Sequence, residues 1–137
     1  MKKILKLTLI LAFGLSLAFT GCKKYEEGPM FSLASKKARV VNIWKVEKVI
    51  ENGQVVTSLM LLTSSWEFKE DNTFVITNGT FTDTGTWDFD SKKENLLFTI
   101  TGSSTVEEVE ILKLKSDEFW FKIADGTDTE EYHLVTK

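Results

Sequence analysis

The chain has 137 residues, one cysteine, one histidine and a formal net charge of −3. A single cysteine excludes an internal disulfide, and a single histidine excludes a metal site built from several histidines. The acidic balance argues against nucleic-acid binding, because contact with phosphates depends on clustered lysines and arginines.

The first 21 residues are typical of a secretion signal. Three early lysines precede an uncharged run at 7–19, whose length suits the apolar region of a signal peptide better than a span of about 20 residues. The stretch 17–22, Leu-Ala-Phe-Thr-Gly-Cys, resembles the lipobox of bacterial lipoproteins. That resemblance implies that residues 1–21 are removed and that Cys22 is acylated, with palmitate among its chains. The alternative is a spare thiol in an ordinary secreted protein.

Residues 22–30 are predicted to form a lipidated, flexible tether. The segment is polar, has no apolar periodicity and contains a Gly28-Pro29 pair, which is typical of a loop. Its Glu26-Glu27 pair resembles the acidic tethers of some surface-exposed lipoproteins of Gram-negative bacteria, although a solvated linker explains it equally well. Removal of the signal takes three lysines and no acid, so the net charge changes from −3 to −6, which favours solubility.

A short helix is predicted within 31–41. Leu33, Lys37 and either Val40 or Val41 recur at helical spacing after a candidate N-cap at Ser32. The basic residues of this helix could face anionic headgroups near the anchor, but a solvated helix face is the simpler explanation.

From residue 42 onward the sequence alternates between apolar and polar residues, which predicts β-strands. The even-numbered residues from Trp44 to Ile50 share one face, and an Asn-Gly pair at 52–53 predicts a hairpin turn. Residues 55–62 fit a strand, an irregular crossing or a short helix.

Further alternating runs lie between turn residues. They predict strands at 66–69, 74–77, 80–90, 96–101, 106–115, 118–123 and 129–136. The phase slips near Ile111, where a β-bulge is expected. Eight or nine short strands without intervening helices favour an up-and-down barrel or a sandwich.

Three segments resemble the lipocalin-like lipoproteins of Gram-negative bacteria. They are Asn-Ile-Trp-Lys-Val at 42–46 after the short helix, Gly-Thr-Trp-Asp-Phe at 85–89 and Glu-Tyr-His-Leu at 131–134. The resemblance covers about 31–137 and implies an all-β, lipocalin-like antiparallel up-and-down β-barrel of about eight strands, preceded by a short N-terminal helix. It also implies that Trp44 packs across the closed end and that the interior can hold a small apolar ligand.

Six inward-facing aromatic residues are the candidates for contact with such a ligand: Trp66, Phe74, Trp87, Phe98, Phe119 and Tyr132. An eight-stranded interior is just wide enough either to be filled by side chains or to hold one small ligand. Core packing is therefore the competing explanation for each residue. Trp120 alternates out of phase with its neighbours, and it would either contact a partner or lie beneath a loop.

The sequence carries no catalytic or cofactor motif. No serine lies in a Gly-x-Ser-x-Gly turn, an acylated Cys22 offers no thiolate, and His133 is predicted on the face opposite Tyr132 and Leu134. The turn at 125–128 lacks the spacing of a calcium loop. No enzymatic activity, cofactor or metal is therefore expected.

These features predict a lipid-anchored, non-catalytic protein of the cell envelope, with the outer membrane as the expected location. Its expected partners are the membrane, through acylated Cys22, and a small hydrophobic ligand in the barrel of 31–137. The alternative is a packed barrel whose outer surface binds a protein or a glycan.

Overall fold

The computed structural model describes residues 25–27, 33–56 and 58–137. It contains an eight-stranded, closed, antiparallel β-barrel with two short helices, and about 60% of it is strand. The predicted all-β barrel with a preceding short helix is therefore confirmed. The expected signal peptide and the lipidation site at Cys22 lie outside the described residues.

Eight strands form the ring, and each pairs antiparallel with the next ring strand along the chain. They are β2 (Asn42–Glu51), β4 (Ser65–Phe68), β5 (Thr73–Asn78), β6 (Phe81–Phe89), β7 (Asn95–Ile100), β8 (Glu107–Leu114), β9 (Glu118–Asp125) and β10 (Asp128–Thr136). The ring closes because β10 also pairs with β2, from Glu130 opposite Glu51 to Thr136 opposite Trp44. Closure leaves each ring strand with two neighbours.

A short strand, β3 (Gln54–Val56), forms the predicted first hairpin with β2. The two turn residues, Asn52 and Gly53, have φ angles of 49° and 80°, as a two-residue type I′ turn requires. The rest of the segment 55–62 contains α2 (Leu59–Leu62), which lies between β3 and β4. Leu61 and Leu62 pack against the core.

Another short strand, β1 (Glu26–Glu27), pairs in parallel with Lys113 and Leu114 of β8. The preceding Tyr25 is only 6% exposed, and its hydroxyl donates a hydrogen bond to the carbonyl of Lys93 at 2.7 Å. These three residues of the predicted tether therefore lie against the barrel instead of forming a free linker.

The N-terminal helix, α1 (Lys36–Val40), is shorter than predicted. Its N-cap is Ser35, whose Oγ accepts a hydrogen bond from the Ala38 amide at 3.1 Å. The candidate cap Ser32 lies outside the described residues, and Leu33 is fully exposed. The apolar spacing therefore placed the start of the helix too early, because the local cap determines where the helix begins.

The two ends of the barrel differ. We call the end that carries α1 and the β4–β5, β6–β7 and β8–β9 turns the closed end. There the Trp44 indole N–H donates to the Val40 carbonyl at 2.9 Å, and both side chains are fully buried. We call the opposite end, which carries the β5–β6, β7–β8 and β9–β10 turns, the mouth.

Two bulges shift the inward-facing phase. Opposite β10, the pairing of β2 passes from Lys48 to Val46 and skips Glu47. Val49 is consequently fully buried and Ile50 is not, so the prediction that Ile50 shares the face of Trp44 was wrong. The bulge predicted near Ile111 is confirmed by a register shift against β9.

Gly85 of β6 is expected to be intolerant of a side chain. A Cβ there would lie 2.2 Å from the Thr99 carbonyl oxygen and 2.7 Å from the Phe74 ring. We expect Gly85→Ala to lower the free energy of unfolding by about 1–3 kcal/mol, the usual cost of overpacking. Chemical denaturation measures this change. The exposed neighbour Thr86 supplies the control, because Thr86→Ala should cost less than about 0.5 kcal/mol; equal losses would contradict the steric explanation.

Candidate functional site

The barrel interior holds the six aromatic residues that the sequence singled out. Five of them are at most 8% exposed, and Tyr132 is partly buried. Their ring centroids lie close together: Trp66 is 6.4 Å from Phe98 and 5.5 Å from Tyr132, while Phe74 is 5.5 Å from Phe98. The prediction that these side chains share the interior is therefore confirmed, whereas contact with a ligand stays a prediction.

Phe68 is the centre of this cluster, although the sequence did not single it out as a ligand contact. Its ring lies 5.8–6.2 Å from those of Phe74, Trp87, Phe98 and Phe119. Tilted and edge-to-face contacts at this spacing are favourable beyond the burial of area. These rings therefore pack against one another and fill the interior from the closed end to its middle.

One interior polar group has no partner. The indole N–H of Trp66 is buried and makes no hydrogen bond with any described residue. By contrast, the indole N–H of Trp87 donates to the Thr73 carbonyl at 3.1 Å. An unpaired buried donor costs free energy, so Trp66 marks the place where a small polar acceptor would be most favourable.

The mouth is acidic. Glu51, Asp83, Glu107, Asp125 and Glu130 all stand on strands at the level where the interior opens. Residues 49–68, 70–91, 94–112 and 123–136, which include every mouth turn, contain no lysine or arginine. The charges at this end are therefore of one sign.

The same end exposes several apolar side chains. Val55, Leu59, Met60, Phe81 and Val106 are 56–79% exposed. They lie on β3, α2 and the strand ends near the mouth. Exposed apolar groups gathered at one end of a small domain are typical of a binding surface.

Tyr132 connects the aromatic interior with the acidic mouth. Its hydroxyl donates to a carboxylate oxygen of Glu130 at 2.8 Å. Burial raises the pKa of the Tyr132 phenol well above its usual value, and the hydrogen bond and the negative charges of Glu130, Glu51 and Glu107 raise it further. The phenol consequently stays neutral and acts as a hydrogen-bond donor.

A groove of about 540 Å³ opens at the mouth between the β7–β8 turn and the end of β9. Its apolar lining comes from Phe98, Ile100, Val106 and Ala124. Its charged lining comes from Glu107, Glu108 and Asp125. The sequence predicted Phe98 at the interior but gave no sign of the groove, because that depends on where the pairing of two distant strands ends.

The outer face carries a separate stack of three side chains. The ring of His133 lies parallel to Trp120 with centroids 3.9 Å apart, and the Lys113 ammonium lies 3.5 Å from the centroid of Trp120. His133 also contacts the carboxylate of Glu131 and is only 4% exposed. The predicted outer placement of Trp120 and His133 is confirmed. Trp120 packs against His133 and Lys113 of its own chain.

Neither a protein-family model nor a curated protein matches this chain. Within residues 25–27, 33–56 and 58–137, no group of three or more metal-ligating side chains is placed to hold a metal ion. The same part of the chain contains no helix long and apolar enough to cross a membrane. The mouth groove, with its apolar and acidic lining, and the aromatic interior, with the unpaired indole of Trp66, are candidate sites in this part of the chain.

The raised pKa of Tyr132 predicts a pH dependence of stability. The unfolded chain releases the phenol proton near the ordinary value of about 10, whereas the folded chain holds it to higher pH. Ionisation therefore favours unfolding, and folded stability should fall as the pH rises above about 10. Urea unfolding between pH 8 and 11 should show a smaller loss for Tyr132→Phe than for the wild type. Tyr132→Phe removes this one phenol, so parallel curves for the two proteins would contradict the assignment.

Proposed function

We propose that this protein is a lipid-anchored, non-catalytic interaction module of the cell envelope, and that it binds a protein partner with its outer surface. The observation that carries the proposal is the filling of the interior by Trp66, Phe68, Phe74, Phe98 and Phe121, whose rings contact one another at 5.4–6.4 Å. A ligand holder needs an apolar cavity of roughly 300 Å³ or more. Because these interior rings contact one another, recognition of a partner is left to the outer surface of the barrel.

The proposed location in the cell envelope is supported by the sequence at 17–22, which resembles a lipobox. The chain reaches the barrel at the closed end, where Tyr25 packs against the core and donates to Lys93. The basic helix α1 lies at that end too. An acylated Cys22 in the outer membrane would therefore hold the closed end near the lipid and direct the mouth away from it.

A second candidate function is the binding of a small hydrophobic molecule inside the barrel. Its support is the unpaired indole N–H of Trp66 and the partial exposure of Tyr132 at the mouth. A ligand with one acceptor atom could pair with that indole. It would need the rings around Phe98 to move, since these now occupy the space.

The anchor is testable by fractionation. We expect Cys22→Ser to leave the protein either soluble or unprocessed, because without acylation no covalent lipid remains to hold the chain, and stable anchoring takes more than one weak signal. Immunoblotting of membrane and soluble fractions measures this result, and metabolic labelling with a palmitate analogue should follow the same pattern. A Cys22→Ser protein that has lost residues 1–21 and still fractionates with membranes would refute the anchor.

The filled interior is testable by native mass spectrometry. The full-length protein, exposed to an envelope lipid extract and released from detergent, should have the same mass under native and denaturing conditions. Retention of a discrete adduct would favour the interior-ligand function, provided that it disappears in Phe68→Leu, because Phe68 lies in the interior and does not line the mouth groove. The matched control is Phe81→Leu, because Phe81 is 70% exposed; an adduct sensitive to that change instead would lie on the surface.

A further inference from the structure

The pairing between β8 and β9 covers only part of their length. It runs from Leu114 opposite Phe119 to Glu110 opposite Lys122, and it ends there. Residues 107–109 of β8 continue to pair with β7, and residues 123–125 of β9 continue to pair with β10. The two strands therefore separate toward the mouth and leave a split in the barrel wall.

The backbone of each strand turns hydrogen-bonding groups toward this split. The Ile111 amide donates to the Glu94 carbonyl across the β7–β8 ladder at 3.2 Å, so the alternation of an antiparallel ladder directs the amide and carbonyl of Glu108 toward β9. On the other side, Asp125 opposite Asp128 closes a two-residue turn, which directs the amide and carbonyl of Ala124 toward β8. Neither residue has a ladder partner on that side.

The mouth groove of about 540 Å³ lies at this split, since residues of both strands line it. All its charged lining residues are acidic, and the nearest cation along β9, Lys122, already pairs with Glu110 at 3.0 Å. The apolar lining of Ile100 and Val106 is 38% and 56% exposed. A partner that matches the groove therefore carries both positive charge and apolar side chains.

We propose that the split between β8 and β9 binds an extended basic and apolar segment of a partner protein as an added β-strand. This inference rests on the proposed function and names the partner's chemistry and its mode of binding. Main-chain hydrogen bonds to a strand edge give affinity, and side chains at alternate positions give specificity. For the segment to pair with both β8 and β9, these two strands must lie about 9.5 Å apart, which is twice the spacing of neighbouring strands.

The side-chain alternation of the two edges specifies the segment. Val109 and Ile123 belong to the inward phase, and Glu108 and Ala124 belong to the outward phase. In an added strand, inward residues would thus contact Val109 and Ile123, with Glu107 and Asp125 following in the same phase at the mouth. Outward residues would lie beside Glu108. The matching sequence alternates apolar residues with lysine or arginine.

The test uses the full-length protein and an acetylated, fluorescent eight-residue peptide that alternates lysine with valine. Fluorescence anisotropy should show binding that weakens as salt is added, because the charge pairing is screened. A peptide with glutamate in place of lysine should not bind. Hydrogen exchange followed by NMR should show that the peptide protects the amides of Glu108 and Ala124.

Two substitutions at one position separate backbone pairing from charge alone. Ala124→Pro removes the amide that points into the split. Ala124 makes no ladder hydrogen bond to β10, so the substitution breaks none on that side. We expect it to weaken peptide binding at least about tenfold. Ala124→Val keeps the amide and should change binding less than about twofold. Glu108→Gln should weaken binding and reduce its salt dependence.

Equal binding by Ala124→Pro and Ala124→Val, with both proteins folded by circular dichroism, would overturn strand addition. Failure of the wild type to bind the peptide would overturn the proposed partner chemistry, and dimerisation in sedimentation experiments would identify a second copy as the occupant instead. The native mass comparison remains separate. If the native mass shows no adduct and the peptide does not bind, the proposed function is retained and the strand-addition site is rejected. An adduct in the interior would instead overturn the proposed function.

Discussion

The filling of an eight-stranded barrel by aromatic rings is the constraint on which the rest of the structure depends. An interior of this width is either filled by side chains or holds one small ligand, and here Phe68 contacts rings from several strands at about 6 Å. The same packing explains Gly85, since the Phe74 ring and a backbone carbonyl occupy the space of its Cβ. A filled interior fixes the relative positions of the strands, so recognition is left to the surface that those strands present.

The barrel is closed more tightly in one half than in the other. Near the closed end, the β8–β9 pairing is reinforced on the outer face by the stack of Lys113, Trp120 and His133. The bulge between Ile111 and Lys113 lies just before the pairing ends. Because a bulge bends its strand and increases the local twist, it gives a physical reason for β8 to diverge from β9 toward the mouth.

The sequence predicted most of the strands because alternation is a local signal. It failed where a non-local contact decides the outcome: the bulge beside Glu47 brings Val49 into the core in place of Ile50, and this insertion leaves no mark on the apolar pattern. The interior aromatic residues were predictable from their phase. The groove was not, because the point at which β8 and β9 stop pairing depends on the twist of the whole ring and not on the residues at 107–109.

An incomplete ladder would normally be a liability, since free amides and carbonyls on a strand edge can pair with another chain. Here Glu107 and Glu108 stand on one edge and Asp125 on the other. Two copies of the protein would bring these like charges together, which opposes pairing between copies. The same charges attract a basic strand. The acidic edges therefore discriminate between partners by sign of charge: they oppose pairing with another copy of this chain while keeping the backbone groups of Glu108 and Ala124 available to a segment of opposite charge.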